Sequence, residues 1–150
     1  MFEKITEQPS LYDRLEEKST REILEDINRE DRKVAEAVSR TIPMIERLVE
    51  QIVPRMEQGG RLFYMGAGTS GRMGVLDASE IPPTFGMPPK FVIGLIAGGD
   101  RALRNPVEKA EDNTERGWEE LLSHGVNSSD TVIGIAASGT TPYVIADMES

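Results

Sequence analysis

The hydrophobic rhythm of the chain changes once, at Gly59-Gly60. Before that point apolar residues recur at helical spacing; after it they come in short continuous runs. Residues 1–18 are polar and irregular. Ser19-Thr20-Arg21-Glu22 reads as a capping box, with Ser19 as N-cap and Glu22 at N3. Ile23, Leu24 and Ile27 follow, and a longer stripe runs through Val34, Val38, Ile42, Ile45, Leu48, Val49 and Ile52. Pro43 and Pro54 interrupt it, which predicts a kink or two consecutive helices.

Three apolar runs follow: Leu62-Phe63-Tyr64-Met65, Phe91-Val92-Ile93-Gly94-Leu95-Ile96-Ala97 and Thr131-Val132-Ile133-Gly134-Ile135-Ala136. Continuous apolar runs are what parallel strands buried on both faces require. Helical segments are expected between them, over about 70–79 and about 106–123. The order β-α-β-α-β predicts an α/β fold, a three-layer, doubly wound open parallel sheet, behind an N-terminal helical arm. The arm is expected over 1–58 and the first part of the sheet domain over 59–150. A further helix begins near Pro142 and the chain stops at Ser150, so we expect a truncated chain, roughly half a protein.

Composition narrows the function classes. With 17 basic and 26 acidic residues the net charge is −9, against a general nucleic-acid binder, which needs a basic face. A local positive pocket for a small anion is not excluded. The absence of cysteine removes disulfides, zinc thiolates and Cys nucleophiles. Residues 1–7 have no apolar signal core and no run is long enough to span a bilayer, so a cytoplasmic protein without a membrane partner is expected.

The chemistry sits in loops. Gly66-Ala67-Gly68-Thr69-Ser70-Gly71-Arg72 follows the first run and satisfies G-x-G-x-x-G. A dinucleotide fold would need an acidic residue about 20 residues on, and Asp100 comes too late. Gly68, Thr69, Ser70 and Arg72 instead suit a terminal phosphate at a helix N-terminus. A glycine-rich turn with capping hydroxyls is the plainer reading. The same chemistry recurs in Ala137-Ser138-Gly139-Thr140-Thr141-Pro142, with Pro142 at N1 and Thr141 as N-cap. Both loops should lie at the carboxyl edge of the sheet, where Ser138, Gly139, Thr140 and Thr141 would complete a phosphosugar pocket.

Two glutamates are candidates for acid–base work. Glu80 is expected at the end of the first sheet helix, stopped by Pro82-Pro83. There the macrodipole and partial burial would favour its protonated form, against the alternative of a solvated helix-end residue. Asn105 is expected to cap the next helix, with Glu108 at N3. Stepping from Val107 through 111, 114, 118 and 122 puts Glu111 on the inward stripe, where an ionisable group needs a partner or a function. Trp118 is expected in the core. His124 before Gly125 reads as a helix end, and the charged run Arg29–Lys33 as a solvated face.

Gly66–Arg72, Asp77-Ala78-Ser79-Glu80 with Pro82-Pro83-Thr84, Ile96-Ala97-Gly98-Gly99, Val107–Asp112 and Gly134–Gly139 resemble the N-acetylmuramic acid 6-phosphate etherases, from about Ser19 to Val144. The resemblance implies a sugar isomerase (SIS) fold, a homodimer and no metal or redox cofactor. It implies a lyase that cleaves the lactyl ether of N-acetylmuramic acid 6-phosphate to N-acetylglucosamine 6-phosphate and D-lactate, in recycling of cell-wall sugars. The family's catalytic glutamates match Glu80, expected as acid, and Glu111, expected as base. Thr140, Ile81 and Lys109 stand where the family commonly has Arg, Cys and Gly, and its later motif and C-terminal helices are absent. The alternative is a phosphosugar-sensing SIS module without catalysis, resembling glucokinase regulatory proteins.

Overall fold

The computed structural model of the chain describes residues 8–148. They form two compact units, one reaching Gln51 and one starting at Ile52. Helix α1 (Thr20–Glu57) supplies the end of the first unit and the start of the second. The expected capping box forms: Glu22 N–H donates to Ser19 Oγ at 3.3 Å, and Ser19 N–H to Glu22 Oε2 at 2.8 Å. Ahead of it, Tyr12 Oη donates to Glu30 Oε1 at 2.6 Å and Lys18 pairs with Asp26, pinning the irregular segment to the helix. Pro43 and Pro54 do not divide α1 into two consecutive helices, one of the two outcomes expected. Each removes one backbone donor, and the flanking turns carry the helix across.

The second unit is built on three parallel strands, β1 (Leu62–Gly66), β2 (Val92–Ile96) and β3 (Thr131–Ile135), in the order β2-β1-β3. Helix α2 (Gly68–Phe85) links β1 to β2. Two short helices, α3 (Arg101–Arg104) and α4 (Arg116–Ser123), lie between β2 and β3, and α5 (Pro142–Met148) follows. The strands alternate between two cores. Phe63, Met65 and Leu95 pack with Leu121, Tyr143 and Val144; Leu62 and Val92 pack with Ile52, Met56, Ala78 and Ile81. Each such side chain withdrawn from water stabilises by about 1.5–3 kcal/mol. Helices on both faces make this the three-layer α/β arrangement expected, and the order 2-1-3 places the change of winding direction between β1 and β3.

Helix α2 sits unusually close to the sheet. A Cβ on Gly71 would lie 2.5 Å from the Gly66 carbonyl oxygen and 2.7 Å from Ile96 Cγ1; one on Gly94 would lie 2.5 Å from Val75 Cα. At the opposite edge, Asp130 receives Arg61 N–H at 2.8 Å, Arg61 Nη2 at 2.6 Å and Asn127 N–H at 3.0 Å. Burial raises the Asp130 pKa, but the hydrogen bonds from the Arg61 side chain and backbone and the Asn127 backbone outweigh it and hold the carboxyl below its ordinary range.

Two expected elements differ. Helix α2 does not stop near Glu80: it passes through Pro82 and Pro83 and ends at Gly86 (φ 66°), whose N–H bonds the Pro82 carbonyl. Glycine supplies the left-handed residue that terminates it. The single helix expected over 106–123 is a 3-10 turn, Ala110–Asp112, and then α4. Lys109 (φ 60°) adopts a left-handed conformation that stops helical propagation, and Asn113 Oδ1 accepts the N–H groups of Glu115 and Arg116, both at 3.0 Å. Asn113, not Asn105, therefore starts α4. The helix turns Gly117 and Leu121 inward and leaves Trp118 38% exposed, so Trp118 is not core. The α4 end is as expected, with His124 before a left-handed Gly125.

Candidate functional site

The contact between Gly66 and Gly71 determines how the first glycine-rich loop is presented. With no Cβ between them, α2 starts directly against the end of β1, at Gly68. Gly71 N–H already donates to the Ala67 carbonyl at 3.2 Å. The amides ahead of it are orphan first-turn donors at the positive end of an 18-residue helix. Thr69 and Ser70 lie in that turn, and among the described residues their side chains have no hydrogen-bond partner.

Arg72 has two roles. It lines a cavity at the carboxyl ends of β1 and β2, and its Nε and Nη2 donate to the carbonyls of Leu103 at 3.2 Å and Ala102 at 2.7 Å. Those bonds tie α2 to α3. The cavity, of about 230 Å³, is lined by Ala67, Gly68, Arg72, Ala97 and the segment 106–111, which brings in Lys109 and Glu111. A second cavity of about 330 Å³ shares Val107, Glu108, Lys109 and Ala110 and extends to Gly98, Gly99, Asn113, Arg116 and Glu120. Arg116 is bonded to Glu119 and Glu120, and Tyr143 Oη donates to Glu120 at 2.7 Å.

The second hydroxyl loop follows β3, beside β1. Ser138 Oγ accepts the Thr140 N–H at 3.2 Å and the Thr140 hydroxyl at 3.0 Å, so the loop closes on itself. Pro142 opens α5 as expected, and the Thr141 carbonyl accepts the N–H groups of Val144 and Ile145 at 3.0 Å.

Gly68, Arg72 and Glu111 thus share one cavity, with Thr69 and Ser70 in the adjoining turn. Ser138, Gly139, Thr140 and Thr141 line neither cavity, although their loop leaves the strand next to β1. The structural premises for the two glutamates both change. Glu80 is exposed, lies inside α2 rather than at its end, and lines neither cavity. Glu111 is exposed on the 3-10 turn, not on an inward helical stripe, and reaches the cavity because the chain breaks there. Reading the segment as one helix also missed Lys109 as a lining residue. Its only sequence signal is a side chain where the resembling family commonly has glycine. Among the described residues, no cluster of three His, Asp or Glu side chains is arranged as a metal site, and no helix is long and apolar enough to cross a membrane.

Comparison with known proteins agrees with this architecture. The family model described as the glucokinase regulatory protein N-terminal SIS domain matches residues 44–150. The chain is 99% identical over 145 residues to a Porphyromonas gingivalis (strain ATCC 33277) protein named N-acetylmuramic acid 6-phosphate etherase, covering 97% of this chain and 53% of that protein. A Bacteroides fragilis protein of the same name is 78% identical over 149 residues, covering 99% and 53%. One from Caldanaerobacter subterraneus is 58% identical over 127 residues, covering 85% and 42%. The chain spans about half the length of these curated relatives. The chain therefore belongs to the SIS-domain family represented by that model, and it is similar over nearly its whole length to the N-acetylmuramic acid 6-phosphate etherases.

Proposed function

We propose that the protein is an N-acetylmuramic acid 6-phosphate etherase, a carbon–oxygen lyase of amino sugar catabolism, with residues 59–150 forming the first part of its phosphosugar-binding domain behind a helical arm over 1–58. The observation that carries this reading is the cavity that Glu111 shares with Gly68 and Arg72, at the carboxyl ends of two parallel strands. The 6-phosphate is read onto Gly68, Thr69, Ser70 and Arg72, with Ser138, Gly139, Thr140 and Thr141 closing the site from the next strand. Opening the sugar ring exposes a C1 aldehyde, which acidifies the C2 proton. Glu111 takes that proton, the C3–O bond breaks, and Glu80 protonates the departing lactate oxygen. Water then adds at C3 of the unsaturated intermediate. Glu80 lies outside the Glu111 cavity, about 18 Å along α2 from Gly68, so its assignment as the acid rests on the family resemblance and not on this cavity. The protein is proposed to work in the cytoplasm as a homodimer.

The test is release of D-lactate from N-acetylmuramic acid 6-phosphate by the full-length protein, with solvent deuterium appearing at C2 and solvent oxygen at C3. A second reading, phosphosugar sensing without catalysis, is favoured by the regulatory protein that names the matching family model. Tight binding of the sugar phosphate with no lactate released selects that reading.

A further inference from the structure

We propose that Lys109 binds the carboxylate of the lactyl group and so adds to this protein's preference for the ether-bearing sugar over its counterpart without lactate; the inference rests on the etherase reading. Lys109 and Arg14 are the two non-glycine residues with positive φ among those described. At φ 60° and ψ 3° Lys109 occupies a conformation that glycine would adopt freely and a side chain disfavours. Its carbonyl accepts the Asp112 N–H at 3.3 Å, closing the turn that carries Glu111. Lys109 also lines both cavities, on the wall they share.

The charge around it is specific. Arg72 bonds the carbonyls of Ala102 and Leu103 through Nε and Nη2 and is assigned to the 6-phosphate, and Arg116 is bonded to Glu119 and Glu120. Among the described residues Lys109 enters no ion pair. The other charged groups of the shared wall and turn are acids, Glu108, Glu111 and Asp112. The substrate brings a further carboxylate, one carbon removed from the oxygen that leaves C3, while Glu111 works at the adjacent C2. Two carboxylates that close repel, and a cation two residues from Glu111 offsets the repulsion. A lysine supplies it as a mobile point charge. The phosphate, at the other end of the sugar, is assigned to the first turn of α2, Arg72 and the Ser138 loop, and does not need it.

Calorimetric titration of the full-length protein tests this with two unreactive probes, 1,5-anhydro-N-acetylmuramic acid 6-phosphate and 1,5-anhydro-N-acetylglucosamine 6-phosphate. Both lack the anomeric hydroxyl needed to open to the aldehyde. K109G fits the left-handed backbone, so the turn persists. It should weaken the lactyl-bearing probe by about ten-fold or more, the loss of one charge-assisted contact, and leave the other within about two-fold. K109R should retain the preference. Equal weakening of both probes, no weakening of the lactyl-bearing probe, or no preference in the unsubstituted protein overturns the assignment. Lactate release is scored separately: its absence rejects the etherase reading, while the ratio of the two affinities still decides the role of Lys109.

Discussion

Gly66 and Ile135 stand opposite one another in the parallel register of β1 and β3. They are the last residues of their strands, so the first turn of α2, with Thr69 and Ser70, and the loop holding Ser138 and Thr140 follow the sheet side by side. Neighbouring strands lie about 4.8 Å apart, within the reach of one phosphate and its hydrogen-bond partners. The Ser138 loop has an internal turn, with the Ser138 hydroxyl accepting from the Thr140 N–H and hydroxyl.

A shared phosphate site makes a prediction about both serines. S70A and S138A in the full-length protein should each weaken binding of N-acetylglucosamine 6-phosphate, by about ten-fold for loss of a charge-assisted hydrogen bond. Calorimetry reads the effect. Unchanged affinity in both variants excludes the two-loop site.

The glutamates should be separable by isotope exchange. E80Q and E111Q are each expected to lose about 10²–10⁴-fold in lactate release while still binding the phosphosugar. In E80Q the C2 hydrogen continues to exchange with solvent deuterium although lactate stays attached. In E111Q exchange and release both fail. Normal exchange in E111Q moves the base elsewhere.

The Gly66–Gly71 approach should be intolerant of any side chain. G71A pushes a methyl to 2.5 Å from a backbone oxygen and 2.7 Å from Ile96 Cγ1, and backbone cannot swing aside. Overpacking of this kind costs about 1–3 kcal/mol or more, and here it also displaces the anion-binding turn. Urea unfolding should show a lower midpoint and calorimetry weaker phosphate binding. A variant as stable as the parent contradicts the close packing.

Asp130 should make stability depend on acid. Its folded pKa lies below the unfolded value of about 3.9, so its contribution is present above that pH and fades as pH falls through the folded pKa. D130N leaves Arg61 without its carboxylate and should cost about 2–3 kcal/mol at pH 7, below the range for fully buried pairs because Arg61 is partly exposed. The gap between parent and variant should narrow below about pH 4. Denaturant unfolding at several pH values checks both parts, and a constant gap rejects the assignment.

Local rules were legible in the residues themselves. The Ser19–Glu22 capping box, the Pro142 start and the His124-Gly125 stop depend on contacts within a few positions of the chain, and the three strands announce themselves as continuous apolar runs; each forms. The misread segments are those where a single residue overrode a pattern. A periodic count from Val107 cannot register that Lys109 turns left-handed or that Asn113 restarts the helix. Pro82 and Pro83 looked like a stop, and Gly86 proved to be the true one.

The sequence by itself determined that this is a parallel α/β protein with glycine- and hydroxyl-rich loops after its strands, because continuous apolar runs, capping and turn chemistry can be read over a few neighbouring positions. Only the tertiary structure decided that β1 lies between β2 and β3, that Arg72 is held by the carbonyls of α3, and that Glu111 and Lys109 share a cavity with Gly68 while Glu80 does not. These are contacts between residues about 30 to 75 positions apart along the chain. They are selected by which faces bury together, and no local periodicity encodes that choice.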